Sequence, residues 1–281
     1  MGLPRPRNRA GLWKSKPALR LRANLRRHLI RSPRASNLAL GMRFFFLSAR
    51  PESETGPWHP SPELRRHWKA LRFGPGEEFL LLPPEGEAIQ AVFHSPDRVE
   101  LLGAAPRPQL PLLEVSLATA WPKGSRGDAL VRRAAENGVS GLVPLRCERS
   151  VVGRRDLGAA RQQRWQKILQ EVCQQCRRPT LPLLHADPVG LEDLPGLYPG
   201  HHIVAMVPGT WPLGMELDLH RPERVLLVVG PEGGFSEAEE AHMRDLGFHF
   251  AGLVPTILRI EAAGPLAIGL CQHHFLMRQG H

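Results

Sequence analysis

The pattern of apolar residues changes character near residue 111. Between Met42 and about Pro111, short apolar runs alternate with turns that contain proline and glycine. The runs are RFFFL at 43–47, EFLLL at 78–82, AIQAVF at 88–93 and VELL at 99–102. Short runs of large and β-branched residues bounded by Gly and Pro are typical of strands. The pattern predicts a small closed β-barrel, with one brief helix from Ser61 to Leu71.

Beyond a proline-rich linker at 106–111, strands and helices alternate. A strand pattern at 112–120 precedes a helix pattern over 126–137, which Gly138 ends. Further patterns predict a strand at 141–144, a long helix over 157–178, and strands at 181–184 and 202–207. This alternation predicts an α/β unit built on a parallel sheet.

The most informative turn follows the apolar strand RVLLVV at 224–229. It reads GPEGGFSE over 230–237, and Ser236 with Glu239 three residues later forms a capping box for a helix that Gly247 ends. A strand, a glycine turn and a helix start bring backbone amides to the carboxyl edge of a sheet, where α/β proteins bind ligands. The spacing matches neither a dinucleotide fingerprint nor a P-loop, and Glu232 argues against a phosphate ligand.

A second turn of similar construction follows about 25 residues later. A short strand over 248–253 leads into VPTILRIEAA at 254–263 and then into an apolar helix that reaches about Met277. A single double-glycine turn is often only a tight connection. That interpretation of the first turn becomes weaker when the second turn is considered with it.

These segments together resemble one family. GPEGGFSEAE at 230–239, followed by LVPTILRIEAA at 253–263, resembles the paired signatures of the RsmE family of ribosomal RNA methyltransferases. Three earlier segments resemble that family in the same order: MRFFFLSARP at 42–51, LRCERSVV at 145–152, and RWQKI at 164–168 with Gln175, Arg178 and Pro182. The likeness runs from Met42 to the C-terminus. Four positions depart from the family pattern: Val254, Thr256, Ile260 and Ala262.

The resemblance implies a fold and an activity. It implies S-adenosylmethionine-dependent methylation of uridine N3 in 16S ribosomal RNA within the small ribosomal subunit. The implied fold is a PUA-like β-barrel RNA-binding domain over 42–111, followed by a SPOUT methyltransferase domain over 112–281. That second domain would contain a trefoil knot, which sequence physics alone would not propose. The resemblance also implies a homodimer in the cytoplasm.

Site residues follow from the matching positions. The expected cofactor-binding residues are Gly230, Pro231, Glu232, Gly233, Gly234, Leu253, Ile257 and Leu258. Arg259 is the candidate to stabilise the anion that develops on uridine N3, since it matches the arginine of the family's ILR signature. Glu261 is either a helix cap or a catalytic base, and both roles stay open. The RNA-contact candidates are Arg149, Ser150, Arg164, Lys167 and Arg178.

The distribution of charge supports an RNA partner. The net charge is +10, but residues 1–41 hold eleven Arg or Lys and no acid, so residues 42–281 sum to −1. Residues 121–180 carry 13 basic and 5 acidic residues, whereas residues 181–281 carry 5 basic and 12 acidic residues. The basic stretch is therefore the candidate RNA footprint.

Three interpretations stay open for the basic extension over residues 1–41. It is a disordered arm, an Arg-rich segment of the transit-peptide type, or translated sequence upstream of a true start at Met42. Arginine exceeds lysine along the whole chain, which indicates a compositional bias, so an Arg-rich leader can arise without selection. We therefore favour a start at Met42, or a dispensable arm. No apolar run approaches 18 residues, so we expect no membrane span.

We expect no metal site from the sequence. The four cysteines are scattered, which suits a reducing cytosol, and Cys173-x-x-Cys176 has no second pair. His67 and the pairs His201-His202 and His273-His274 have no evident third ligand. Methyl transfer from a sulfonium needs no metal.

Two other functions remain open at this point. The four departures would fit an RNA-binding SPOUT homologue that has lost catalysis. A SPOUT methyltransferase acting on another RNA, such as transfer RNA, fits the central motifs less well.

Overall fold

The computed structural model describes residues 42–150 and 157–280. The predicted extension over 1–41 and part of the LRCERSVV segment lie outside the described residues. Within them, no helix is long and apolar enough to cross a bilayer. The strands among the described residues form two sheets, one of five strands and one of six.

The amino-terminal sheet has the spatial order β1-β3-β4-β5-β2. Its strands are β1 (Arg43–Phe46), β2 (Thr55–Trp58), β3 (Glu78–Leu82), β4 (Ala88–Ser95) and β5 (Arg98–Ala105), and helix α1 (Pro62–Ala70) lies between β2 and β3 along the chain. The predicted helix is confirmed, with Ser61 as its N-cap. Among the described strands no ladder joins β1 to β2, so closure into a barrel stays a prediction.

An aromatic cluster packs α1 onto this sheet. The Phe45 ring lies edge-on to the rings of Phe79 and Trp68, with centroids 5.5 and 5.7 Å apart. Phe73 and Phe93 complete the group, 5.4 Å from one another. Edge-to-face contacts of this kind add to the stabilisation that burial alone provides.

The carboxy-terminal sheet is parallel throughout, in the order β11-β9-β10-β6-β7-β8. The predicted parallel α/β sheet is therefore confirmed. Its strands are β6 (Glu114–Ala120), β7 (Gly141–Leu145), β8 (Leu183–Leu184), β9 (His202–Met206), β10 (Arg224–Val229) and β11 (His249–Ala251). Its helices are α2 (Ser125–Glu136), α3 (Ala159–Gln175), α4 (Leu194–Leu197), α5 (Leu213–His220), α6 (Glu237–Asp245) and α7 (Ile260–Gln279).

The central strand of this sheet is buried on both faces. Residues 225–228 of β10 are fully buried, as a run of apolar residues in a parallel sheet requires. Helix α2 packs against α3 and α7. The prediction that Trp165 of α3 is a core residue is confirmed, since it is 1% exposed and its indole N–H donates to Asp128 Oδ1 at 3.0 Å.

Gln272 of α7 fastens the last helix to the start of β6. Its buried amide oxygen accepts from Leu113 N at 2.9 Å, and its Nε2 donates to Leu113 O at 2.8 Å and to Gly138 O at 3.2 Å. A buried amide with three backbone partners is costly to remove, because those groups would lose their hydrogen bonds.

We expect Gln272→Leu to lower the free energy of unfolding by about 2 to 4 kcal/mol, since three buried backbone groups lose their partner. Urea unfolding measures the change. Gln279→Leu, at the exposed end of the same helix, is the control and should cost little. Equal stability of the two variants would contradict this role for Gln272.

Candidate functional site

The glycine turn after β10 has the predicted helix start. Ser236 Oγ accepts from Glu239 N at 3.2 Å, and Ser236 N donates to Glu239 Oε2 at 2.8 Å, so the capping box is confirmed. The box fixes the point at which the chain enters α6. The turn from Gly230 to Gly234 is therefore held between a buried strand and a capped helix.

Two glycines in this turn are required by geometry. Gly234 has φ +71°, which side chains with a Cβ rarely adopt. A Cβ at Gly230 would lie 3.1 Å from the Phe235 ring, so any larger residue would push that ring. The turn is thus closely fitted to its own aromatic side chain.

The second turn begins at Gly252, directly after β11, and it is held there by the chain around the start of α5. Gly252 N donates to Trp211 O at 2.7 Å, and Leu213 N donates to Gly252 O at 2.9 Å. A Cβ at Gly252 would lie 3.1 Å from Thr210 O, a backbone atom with little freedom to move. The chain then runs over 253–259 into α7.

Between these turns lies a cavity of about 330 Å³. It opens at the carboxyl ends of β9, β10 and β11, and its size suits a small organic ligand. All the residues predicted to bind the cofactor line it: Gly230, Pro231, Glu232, Gly233, Gly234, Leu253, Ile257 and Leu258. The structure brings them together, and their binding of a cofactor stays a prediction.

Sequence reasoning missed part of the lining. Met206, Val207 and Pro208, at the end of β9, form a third wall, and Phe235 and Glu240 also contribute. The sequence did contain a signal for this wall, since the apolar strand pattern over 202–207 stops at Pro208-Gly209. Parallel strands present their carboxyl ends at one edge of a sheet, so the end of this strand was expected beside the glycine turn. The walls are mainly apolar side chains and main chain.

The loop after β7 braces the glycine turn. Arg149 Nη1 donates to Gly233 O at 2.7 Å and to Phe235 O at 3.4 Å. Nearby, Glu148 N donates to Glu239 Oε1 at 2.8 Å. Arg149, a predicted RNA contact, is exposed and also has this local structural role.

The other RNA-contact candidates have different surroundings. Ser150 Oγ accepts from Cys147 N at 3.0 Å, within the same loop. Arg164 pairs with Asp128, and Lys167 Nζ lies 3.5 Å from a carboxylate oxygen of Glu63 near the first sheet. Both basic side chains remain more than half exposed.

Arg178 requires a correction. It is 5% exposed, and its Nη1 donates to Ala135 O at 3.4 Å. Burial lowers the pKa of its guanidinium, and the neighbouring Cys173 and Cys176 act in the opposite direction. An arginine enclosed in this way does not reach an RNA backbone, so its match to the family motif reflects packing.

The two catalytic candidates lie beside the cavity and are absent from its described lining. Arg259 is the exposed N-cap residue of α7. Glu261 is 7% exposed, and among the described residues its Oε2 has no hydrogen-bond partner. Arg133 Nη1 donates to the Glu261 carbonyl at 3.4 Å. Both roles of Glu261, as a helix cap and as a catalytic base, stay predictions.

No cysteine belongs to the described lining of the cavity. Burial raises the pKa of Cys147 and of Cys173 to about 12, so both are protonated at neutral pH.

The expectation that the histidine pairs have no third ligand is wrong at one position. His202 has ligand-type neighbours in Glu216, His220 and His249, which are far from it in sequence.

A comparison with known protein families matches the part of the chain that contains the cavity. The profile described as the RNA methyltransferase domain matches residues 108–272, which is more than half of the chain. The chain belongs to the RNA methyltransferase family that this domain defines.

The similar proteins narrow the family further. A protein of Aquifex aeolicus named ribosomal RNA small subunit methyltransferase E is 35% identical over 137 residues, covering 48% of this chain and 58% of that protein. The protein of the same name from Bacillus subtilis is 25% identical over 255 residues, covering 85% and 98%. The crystal structure of ribosomal RNA small subunit methyltransferase E from Neisseria gonorrhoeae, bound to S-adenosyl methionine, is 29% identical with a TM-score of 0.69, covering 83% of this chain and 97% of that one. Within the RNA methyltransferases, the chain is a member of the RsmE family.

The brace on the glycine turn is testable. Arg149→Ala removes the donor to two carbonyls of the turn, so we expect faster amide exchange across residues 230–236. Hydrogen-exchange mass spectrometry measures this directly. Arg132→Ala, at an exposed position of α2, is the control. Unchanged protection in Arg149→Ala would mean that the capping box alone holds the turn.

Proposed function

We propose that this chain uses S-adenosylmethionine to methylate N3 of a uridine in 16S ribosomal RNA within the small subunit. The observation that carries the proposal is the convergence of all the predicted cofactor residues on one cavity. The S-adenosyl methionine bound by the relative from Neisseria gonorrhoeae supports the choice of ligand. The names of the Aquifex and Bacillus relatives support the choice of RNA.

The cavity suits the adenosyl group. Apolar side chains such as Leu253 and Leu258 would contact the faces of the adenine, and the exposed backbone of the glycine turn would accept and donate hydrogen bonds to its edges. When bound, the cofactor supplies an electrophilic methyl group on a sulfonium. Transfer is an in-line displacement, so the main task of the protein is to hold donor and acceptor in contact.

The uridine is the harder reactant, because N3 is protonated at neutral pH. Its proton must leave, and the resulting anion needs a nearby cation. Arg259 would meet that need, since it stands exposed where the second turn enters α7. Its position at a helix N-terminus opposes the helix dipole, which is unfavourable for a merely structural arginine.

The RNA would contact the basic stretch over residues 121–180. Arg149, Arg164 and Lys167 carry exposed positive charge within the basic stretch 121–180. Phosphate contacts of this type position RNA without reading its sequence. Selectivity would come from a single-stranded or flipped uridine at the mouth of the cavity.

The finer architecture is part of the proposal. We assign 42–111 to a PUA-like RNA-binding barrel, 112–281 to a SPOUT domain, and a trefoil knot to its C-terminal part. The return of the chain from β11 at the sheet edge to α7, which packs on the central strands β6 and β10, supports the knot. Its ribosomal substrate would be met in the cytoplasm.

We further propose a homodimer through the outer face of α7. Leu266, Leu270 and Met277 are 38, 37 and 64% exposed and lie along one stripe of that helix. Ile257, at the edge of the cavity, is 85% exposed. An apolar surface of this kind beside the site would be covered by the second copy.

The activity is tested by incubating the full chain with S-adenosylmethionine and small subunits that lack the modification. We expect N3-methyluridine on nucleoside analysis, and a loss of about 100-fold or more in rate for Arg259→Ala, as for removal of one group that stabilises an oxyanion. Arg278→Ala, exposed later in α7, is the control. Binding of subunits without methylation would favour the non-catalytic alternative, and methylation of transfer RNA alone would favour another substrate.

The interface is tested by light scattering. We expect the wild-type chain to show about twice the monomer mass, and Leu270→Glu to lower both that mass and the activity, because it buries a charge in the interface. Leu102→Glu, at an exposed apolar position of β5, should do neither. A monomeric wild-type chain that methylates would remove the dimer from the proposal.

A further inference from the structure

Three imidazoles converge on one carboxylate at the amino edge of the parallel sheet, at the other end of β9 and β11 from the cavity. Glu216 Oε1 lies 2.9 Å from His202 Nε2, 3.3 Å from His220 Nε2 and 2.9 Å from His249 Nδ1. The four ligand-type atoms all lie within 4.8 Å of one another.

The fold explains why these residues meet. His202 is the first residue of β9 and His249 the first of β11, and His249 pairs with Val204, two residues after His202. Residues two apart in a strand share a face, so both histidines project from the same side of the sheet. Glu216 and His220 are one helical turn apart on α5, which brings both to that side.

The composition of the group is unusual for a simple packing contact. The side chain of Glu216 is 8% exposed, and the three rings lie 4.1 to 4.6 Å apart by their centroids. Three imidazolium ions at this separation would repel strongly. A metal cation held between neutral imidazoles, the form that binds metals, would avoid this repulsion.

We propose that His202, Glu216, His220 and His249 form a structural zinc site. Zinc prefers four ligands in a tetrahedron, and imidazole nitrogen and carboxylate oxygen are among its usual donors. With metal-to-ligand distances near 2.0 to 2.1 Å, the ligand atoms of such a site lie about 3.3 Å apart. The separations of 2.9 to 3.3 Å between Glu216 Oε1 and the nitrogens are close to this value. The protein supplies all four ligands, which is typical of a structural site rather than a catalytic one.

The location of the site gives zinc a structural consequence. The metal would tie the end of α5 to the first residues of β9 and β11. The start of α5 is bonded to Gly252, in the second turn of the cavity, through Leu213 N. Zinc would therefore fix both the strands and the helix that support this turn. The inference does not depend on which RNA the chain methylates, or on whether it methylates at all.

The test uses the full chain without a histidine tag, purified without chelator from zinc-supplemented medium. We expect mass spectrometry of the metal to find about one zinc ion per chain. After the metal is removed, titration with Zn²⁺ alone against a chromophoric chelator gives the affinity. His220→Gln and His249→Gln should weaken it by more than the ~10- to 100-fold that loss of an outer partner costs. His273→Gln, an exposed histidine of α7 outside the group, should bind as the wild type does.

Two further readouts separate a lost ligand from a lost fold. Zinc should raise the melting temperature of the wild-type chain and of His273→Gln but not of the two ligand variants, because only a metal-binding native state is stabilised by the ion. Cobalt should give the absorption of a tetrahedral centre in the wild-type chain. It should not do so in His220→Gln or in His249→Gln. The proposal would be overturned if the wild-type chain held no stoichiometric zinc. It would also be overturned if His220→Gln and His249→Gln both bound zinc as tightly as the wild type.

Discussion

The structure depends on the burial of β10 at the centre of a parallel sheet. Its residues 225–228 are fully buried, and its ladders to β9 and β6 set the register of both neighbours. Because the register is fixed, the carboxyl ends of β9, β10 and β11 end at one level. The cavity forms there between the two turns and the end of β9, from main chain and apolar side chains.

The turns are held by contacts from outside themselves. The capping box holds the first turn from α6, and Arg149 holds it from the loop after β7. The segment before α5 holds the second turn at Gly252. The proposed zinc site would act on the same system from the opposite edge, through α5 and the first residues of β9 and β11.

The elements around the first turn were predictable, because each is specified by residues that are close together in the sequence. The strand, the glycine turn and the Ser236 cap all lie within 224–239, and the motif resemblance predicted which residues would meet in the cavity. The non-local features were not. The burial of Arg178 depends on its packing against α2, and the His202 group draws on one helix and two strands that meet only in the fold. Helix α5 was missed because its apolar residues have no clear helical period.

The central claim is that the cavity between the two turns binds S-adenosylmethionine. Isothermal titration of the full chain with that cofactor tests it directly, with Gly230→Ala as the variant and Gly214→Ala as the control. A Cβ at Gly230 would press on the Phe235 ring of the cavity wall, whereas a Cβ at Gly214 meets nothing within 4 Å. We expect wild type and Gly214→Ala to bind alike, and Gly230→Ala to bind at least ~10-fold more weakly, a loss of about 1.4 kcal/mol. Absence of binding by the wild-type chain, or equal affinity in all three proteins, would contradict the account.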